Sequence, residues 1–199
     1  KTENKTVLIR FDLNIPLTSM SPMSDRVIRV IDSITDLKLL NSKIVILSHL
    51  GRPNGKRDSD LSLKQILPQL EEAFNDKVTF IDDCIGTNVE NRVKNADQGE
   101  IILLENCRFY NEEENNDDDF AQSLSNLADV YINDAFACSH REHASVVGIT
   151  NHLPSYCGNL LSEELLNLNE VIQNPLSPSI TIMGGSKIST KISILKSLS

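Results

Sequence analysis

The spacing of its apolar runs constrains this chain more than any other feature. Continuous hydrophobic segments too short for helices recur at residues 7–11, 44–47, 78–81, 101–104, 130–132 and 180–183. An apolar run without polar alternation fits a strand buried on both faces, as in a parallel sheet covered by helices. Between the runs lie segments with helical periodicity. From Asp25 to about Leu40, apolar residues fall at Val27, Val30, Ile31, Ile34, Leu37 and Leu40, with Ser24 or Asp25 placed to cap the start. Ser62-x-x-Gln65 has the form of a capping box ahead of Ile66, Leu67, Leu70 and Phe74. Asp117, Asp118 and Asp119 put acid at the positive end of a helix carrying Phe120, Leu124 and Leu127. A fourth helix is predicted from Glu163 to Asn174, closed by Asn174-Pro175. Strand and helix in alternation predict an α/β fold, a Rossmann-like parallel sheet with helices on both faces. The acidic stretch 111–119 is expected to be a solvated loop leading into a helix cap.

At 199 residues the chain has room for one large domain, or one domain and a piece of another. Pro175 and Pro178 mark the best linker. The strand at 180–183 then opens a unit whose helix, 188–198, has one strand to pack on. The expected organisation is a first domain at residues 1–161, a connecting helix and linker at 162–178, and the beginning of a truncated second domain at 179–199. No apolar run approaches the roughly 18 residues of a membrane span, and the start lacks the apolar stretch of a signal peptide. The four cysteines form no C-x-x-C pair, so neither a zinc site nor a disulfide scaffold is indicated. A cytoplasmic protein with reduced thiols and no membrane partner is expected. The net charge of −9 argues against nucleic acid as a partner unless the basic residues gather on one face.

In open parallel sheets, ligands bind beyond the carboxyl ends of the strands. Basic residues follow several of the predicted strands at that end: His49 and Arg52, then Arg108, then His140, Arg141 and His143. Arg26 opens the helix after the first strand, whose own end carries Asp12 and Asn14. Any one of these arginines is expected to pair with a surface carboxylate. Gathered on one edge they would repel each other without a ligand, and guanidinium suits carboxylate and phosphate, so the set predicts an anion site.

Competing chemistries fit less well. The segment from Gly51 to Arg57 has three residues between its glycines where a P-loop needs four, and no Ser/Thr to hold magnesium. His140 and His143 lack the acids of a metal site, and no metal is expected. No G-x-S-x-G elbow is present. Cys107 and Cys138 adjoin basic residues, yet no base is assigned to either, so packing is their expected role. Gly184, Gly185 and Ser186 lie between a strand and a helix, where free amides favour phosphate. Lys187 and Lys191 share one face of that helix and can point at one anion, or the segment is a glycine turn with two solvated lysines.

Five segments, in order, resemble phosphoglycerate kinase: Arg10-Phe-Asp-Leu-Asn14-Ile-Pro16-Leu, Ser48-His-Leu-Gly-Arg-Pro-Asn-Gly55, Leu104-Glu-Asn-Cys-Arg-Phe109, Asn133-Asp-Ala-Phe-Ala-Cys-Ser-His-Arg-Glu-His-Ala-Ser145 and Gly184-Gly-Ser-Lys-Ile-Ser-Thr-Lys191. The resemblance implies the first of two Rossmann-like domains, binding 3-phosphoglycerate or 1,3-bisphosphoglycerate, with Mg-ADP or Mg-ATP held mostly by a second. The implied activity is reversible phosphoryl transfer from 1,3-bisphosphoglycerate to ADP, in line and without a covalent enzyme intermediate, by a monomer. By resemblance, Asp12, Leu13 and Asn14 would contact the glycerate and Arg26 the transferring phosphoryl group. His49, Leu50, Gly51, Arg52, Arg108, His140, Arg141 and His143 would surround the substrate phosphate. Arg26 and Lys187 would be catalytic, and Gly184, Gly185, Ser186, Lys187 and Lys191 would face the nucleotide. Ala137-Cys138 stands where many members have Gly-Thr, which alters local contacts but leaves Arg141. The alternative is a non-catalytic module for phosphate or carboxylate.

Overall fold

The computed structural model describes residues 2–15, 23–174, 180 and 182. The expected strand at 180–183 and helix at 188–198, the prolines at 175 and 178, and Gly184, Gly185, Ser186, Lys187 and Lys191 lie outside the described residues, Ile180 and Ile182 excepted. The chain divides into two compact units, Lys1–Leu161 and Ser162–Ser199.

In chain order the elements are β1 (Thr6–Phe11), α1 (Asp25–Ile28), α2 (Ile31–Leu39), β2 (Lys43–Leu47), α3 (Leu67–Phe74), β3 (Val78–Ile81), α4 (Thr87–Lys94), β4 (Ile101–Leu104), α5 (Asn111–Glu114), α6 (Asp118–Ser125), β5 (Val130–Asp134), β6 (Ser155–Cys157) and α7 (Asn159–Gln173). The strands form one six-stranded sheet in the order β3-β4-β2-β1-β5-β6. Every pair is parallel, with Val7 opposite Ile44 on one side of β1 and opposite Val130 on the other.

Because successive side chains of a strand point to opposite faces, each apolar run feeds two cores. Val7, Ile9 and Phe11, with Ile44, Ile46, Ile101 and Leu103, pack against α1, α2 and α3 through Val27, Ile34 and Leu70. Leu8, Val45, Leu47, Ile102, Leu104 and Tyr131 face the other way, against Val89 and Val93 of α4 and Phe120 and Leu124 of α6. The sheet covered on both faces is thus the predicted one.

Local chemistry explains where the elements depart from expectation. The single helix expected over 25–40 is two. Ser24 caps α1, accepting from the Arg26 amide at 3.3 Å, and the chain tightens where the Val30 amide bonds Val27 O, three residues back, at 3.3 Å. The capping box at Ser62 is not reciprocal. Ser62 accepts from the Lys64 amide at 3.2 Å to start a short 3₁₀ turn, but Gln65 Nε2 donates to Ser59 O at 2.9 Å. α3 proper begins at Leu67, with Pro68 in the first turn where its missing amide hydrogen costs nothing. Asp117 caps α6 as expected, accepting from the Phe120 amide at 2.9 Å. The acidic stretch 111–119 is not simply a solvated loop: it contains α5, and Glu113 within it is wholly buried. α7 begins at Asn159, four residues before the predicted start, because Asp134 Oδ1 accepts the Leu161 amide at 3.0 Å, one of the orphan donors of the first turn.

Candidate functional site

The strand order reverses at β1: β2 lies on one side and β5 on the other. A crevice opens beyond the carboxyl ends of strands at such a point. Asp12 and Asn14 leave β1 there, His49 and Arg52 leave β2, Arg108 sits in a 3₁₀ turn after β4, and His140, Arg141 and His143 follow β5. Residues from four strands, remote in sequence, therefore share one edge of the sheet.

The centre of this edge is Arg10, inside β1 and wholly buried. Its Nε donates to Ser145 Oγ at 3.1 Å, and its Nη2 lies 3.0 Å from His49 Nδ1. Nη1 donates to Phe11 O. Beneath it, Glu113 accepts from the Ser145 amide at 2.8 Å and from Ser145 Oγ at 2.5 Å, with His143 Nδ1 3.7 Å away. Burial opposes ionisation of Glu113, but His143, Arg10 and the two Ser145 donors outweigh it and hold its carboxyl below the ordinary carboxylate value. His49 is pushed the other way. Burial, then the charges of Arg10, Arg108 and Arg141, lower its pKa to about 2.

The implied site residues fall into three groups. Arg26, from α1, makes an ion pair with Asp12 and is about half exposed. Arg108 is buried, donates Nη1 to Gly51 O at 3.0 Å and stands 3.5 Å from Glu114. Asn14 Oδ1 accepts the Gly51 amide at 2.9 Å, bracing the loop after β2, where Gly51 takes the left-handed φ of +63° that glycine adopts without strain. Arg52 and His140 are exposed, Arg141 is half-buried, and none has a side-chain hydrogen bond or ion pair among the described residues. The side chains of Leu13 and Leu50 belong to the hydrophobic core, so only their backbone could meet a ligand.

Asp12, His49 and Cys138 can bring ligand atoms within 4.8 Å of one another. A cation does not fit there: Asp12 is already paired with Arg26, and Arg10 Nη2 reaches both His49 and, at 3.9 Å, Cys138 Sγ. Cys107 and Cys138 are buried, and burial pushes both thiols up, which agrees with packing. A groove of about 670 Å³ lies elsewhere, lined by Arg57, Lys64, Phe80, Arg92 and Phe109. Its arginines are paired, Arg57 with Asp83 and Arg92 with Glu100.

Arg10, Ser145 and Glu113 carried no role in the sequence. Arg10 did leave a signal, being a charge inside an otherwise apolar strand, which must find a partner. Glu113 left none, since three consecutive glutamates look like solvated surface.

A family model described as phosphoglycerate kinase matches residues 1–199. A phosphoglycerate kinase of Wolbachia pipientis wMel is 49% identical over 197 residues, covering 98% of this chain and 49% of that protein. One from Borreliella burgdorferi strain ZS7 is 45% identical over 195 residues, covering 98% and 50%. Among solved structures, phosphoglycerate kinase from Coxiella burnetii superposes with a TM-score of 0.84 at 36% identity, and that from Pyrococcus horikoshii OT3 with 0.85 at 31%, covering 98% of this chain and 49% and 50% of theirs. The chain thus spans about half the length of the relatives it matches. A match along the whole chain, carried by a parallel sheet with arginine and histidine gathered beyond the carboxyl ends of its strands, places this chain in the phosphoglycerate kinase family.

Proposed function

We propose that this chain is the phosphoglycerate-binding half of a phosphoglycerate kinase, which moves a phosphoryl group reversibly between 1,3-bisphosphoglycerate and ADP. The observation that carries it is the convergence of Arg10, His49, Arg108, Arg141 and His143 on one sheet edge of a chain whose net charge is −9. In phosphoryl transfer the protein's task is alignment and neutralisation of charge on the moving group, not covalent chemistry. Arg108 and Arg141 hold the substrate phosphate, joined by Arg52 and by His140 and His143. His49 donates a hydrogen bond. Asp12 and Asn14 orient the glycerate, and Arg26, released from Asp12 when substrate enters, meets the transferring phosphoryl group. Mg-ADP or Mg-ATP is the co-substrate, with Lys187 and Lys191 on its side. The same proposal includes a cytoplasmic monomer; no helix among the described residues is long and apolar enough to cross a membrane.

Calorimetric titration with 3-phosphoglycerate tests the site. The 199-residue chain is expected to bind this ligand more tightly than inorganic phosphate or glycerate alone, because only 3-phosphoglycerate offers both anionic ends to the cluster. A coupled assay should detect no ATP formation, since the facing groups that align nucleotide and exclude water are not among these residues. No binding at millimolar ligand would overturn the placement of the substrate site.

A further inference from the structure

We propose that Glu113, Ser145 and Arg10 form a positioning relay that fixes His49 as its Nε2–H tautomer, so that this histidine offers one aimed proton, and no charge, to the anion held by the arginines. The proposal rests on the substrate site described above and adds how one of its members is set.

Hydrogen-bond valence decides the tautomer. A guanidinium has donors only. Arg10 Nη2 lies 3.0 Å from His49 Nδ1, so Nδ1 must accept and carries no proton. The proton of the ring is therefore on Nε2, which has no hydrogen bond among the described residues. A ring that accepts at one nitrogen and donates at the other is neutral. The surroundings agree: Arg10, Arg108, Arg141 and His143 all face it and oppose a further positive charge.

The relay behind Arg10 keeps that geometry. Arg10 could swing about its long stem, but Nε is held by Ser145 Oγ at 3.1 Å, and Nη1 by Phe11 O. Ser145 is itself fixed, because its hydroxyl donates to Glu113 at 2.5 Å while its amide donates to the same carboxylate at 2.8 Å. Glu113 supplies the negative charge that lets a guanidinium stay wholly buried, and it does so from α5, away from the crevice. Tyr131 completes the brace by donating its hydroxyl to Ser145 O at 2.6 Å. Four residues, from β1, α5, β5 and the loop beyond β5, thus converge on one imidazole orientation. The consequence for binding is direct: a neutral donor adds a directed hydrogen bond to a bound phosphate without adding to the mutual repulsion of the arginines.

Long-range ¹⁵N–¹H correlation spectra of histidine-labelled chain, from about pH 5 to 8, read the tautomer of His49 without substrate. One protonated Nε2 and one unprotonated Nδ1, unchanged across the range, are expected. Ser145→Ala cuts the relay while leaving both buried charges; it should mix the His49 tautomers and weaken 3-phosphoglycerate about tenfold, the size of one hydrogen bond. Ser145→Thr, which keeps the hydroxyl, should restore both. Arg10→Met removes the donors altogether and should free His49 to sample both tautomers, while burial and the remaining charges still hold it below its ordinary value; if that variant does not fold, the serine pair still decides. An Nδ1–H tautomer in the unaltered chain, or an imidazolium at pH 6, would overturn the relay even if 3-phosphoglycerate binds. The expected tautomer in a chain that binds no 3-phosphoglycerate would support the relay and overturn the substrate site.

Discussion

At the residue scale, the site separates two kinds of arginine. Arg108 is buried and already braced on Gly51 O, whereas Arg26 is about half exposed and, among the described residues, paired with Asp12. A braced cation stabilises bound substrate and transition state alike, while a mobile one can follow charge as it develops. In the complete enzyme, Arg26→Ala should lower kcat about 100-fold with a smaller effect on KM, and Arg108→Ala should chiefly raise KM. Steady-state kinetics with 3-phosphoglycerate as the varied substrate distinguish them; equal losses in kcat would sink the division. His49 makes a separate claim on stability. Its folded pKa of about 2 lies below the ordinary 6.5, so beneath pH 6.5 the unfolded chain binds a proton that the folded chain refuses. Stability should therefore fall with falling pH, His49 contributing a slope of about 1.4 kcal/mol per unit. Glu113, held below its ordinary 4.5, stabilises at higher pH and is lost only on further acidification, so the window between 6.5 and 4.5 separates His49 from it. Urea unfolding of His49→Gln in that window should show the shallower slope.

At the scale of elements, the sheet was legible because five of its strands are apolar on both faces, a pattern few other structures produce. β6 was not, since Ser155, Tyr156 and Cys157 are all exposed and carry no apolar run. α4 hid for a similar reason: only Val89 and Val93 of its eight residues are buried. Helix ends were half legible. Aspartate and serine announced the caps of α6 and α1, but asparagine, which supplies all five left-handed non-glycine residues described and ends α3 at Asn75, was not read as a stop. The arginines and histidines at the carboxyl edge of the sheet were legible as a set, through their recurrence after strands. The buried partners that orient them were not, because a partner is defined by distance in space. Gly158 illustrates such a hidden constraint. A Cβ there would lie 2.3 Å from Asp134 Cγ, and Asp134 receives Ser33 Oγ at 2.7 Å and the Leu161 amide at 3.0 Å. Gly158→Ala should cost about 1–3 kcal/mol in denaturant unfolding, by overpacking a side chain that cannot retreat. An unchanged midpoint would show that Asp134 moves freely.

At the scale of the whole molecule, charge is distributed against the average. A chain of net −9 gathers Arg10, Arg108, Arg141 and His143 around His49 at one edge of its sheet. Because part of that edge is exposed, salt should screen it. Affinity for 3-phosphoglycerate is expected to fall severalfold between about 20 and 200 mM salt, as the screening length shrinks to below about 10 Å; titrations at both strengths test this, and a salt-independent affinity would place the ligand among buried groups alone.

The pairing of β1 with β5 bears on how such a chain is made. The Thr6 amide bonds to Asp129, 123 residues further on, and Arg10 to Ser145, 135 residues further on. At a synthesis rate of about 5–20 residues per second, the middle strand of the sheet waits on the order of 10 s for its second neighbour. Until then, the growing polypeptide carries a charged side chain in an apolar strand whose carboxylate and hydroxyl partners have not yet left the ribosome. Vectorial synthesis therefore delays closure of this sheet until the last partner of Arg10 has been translated.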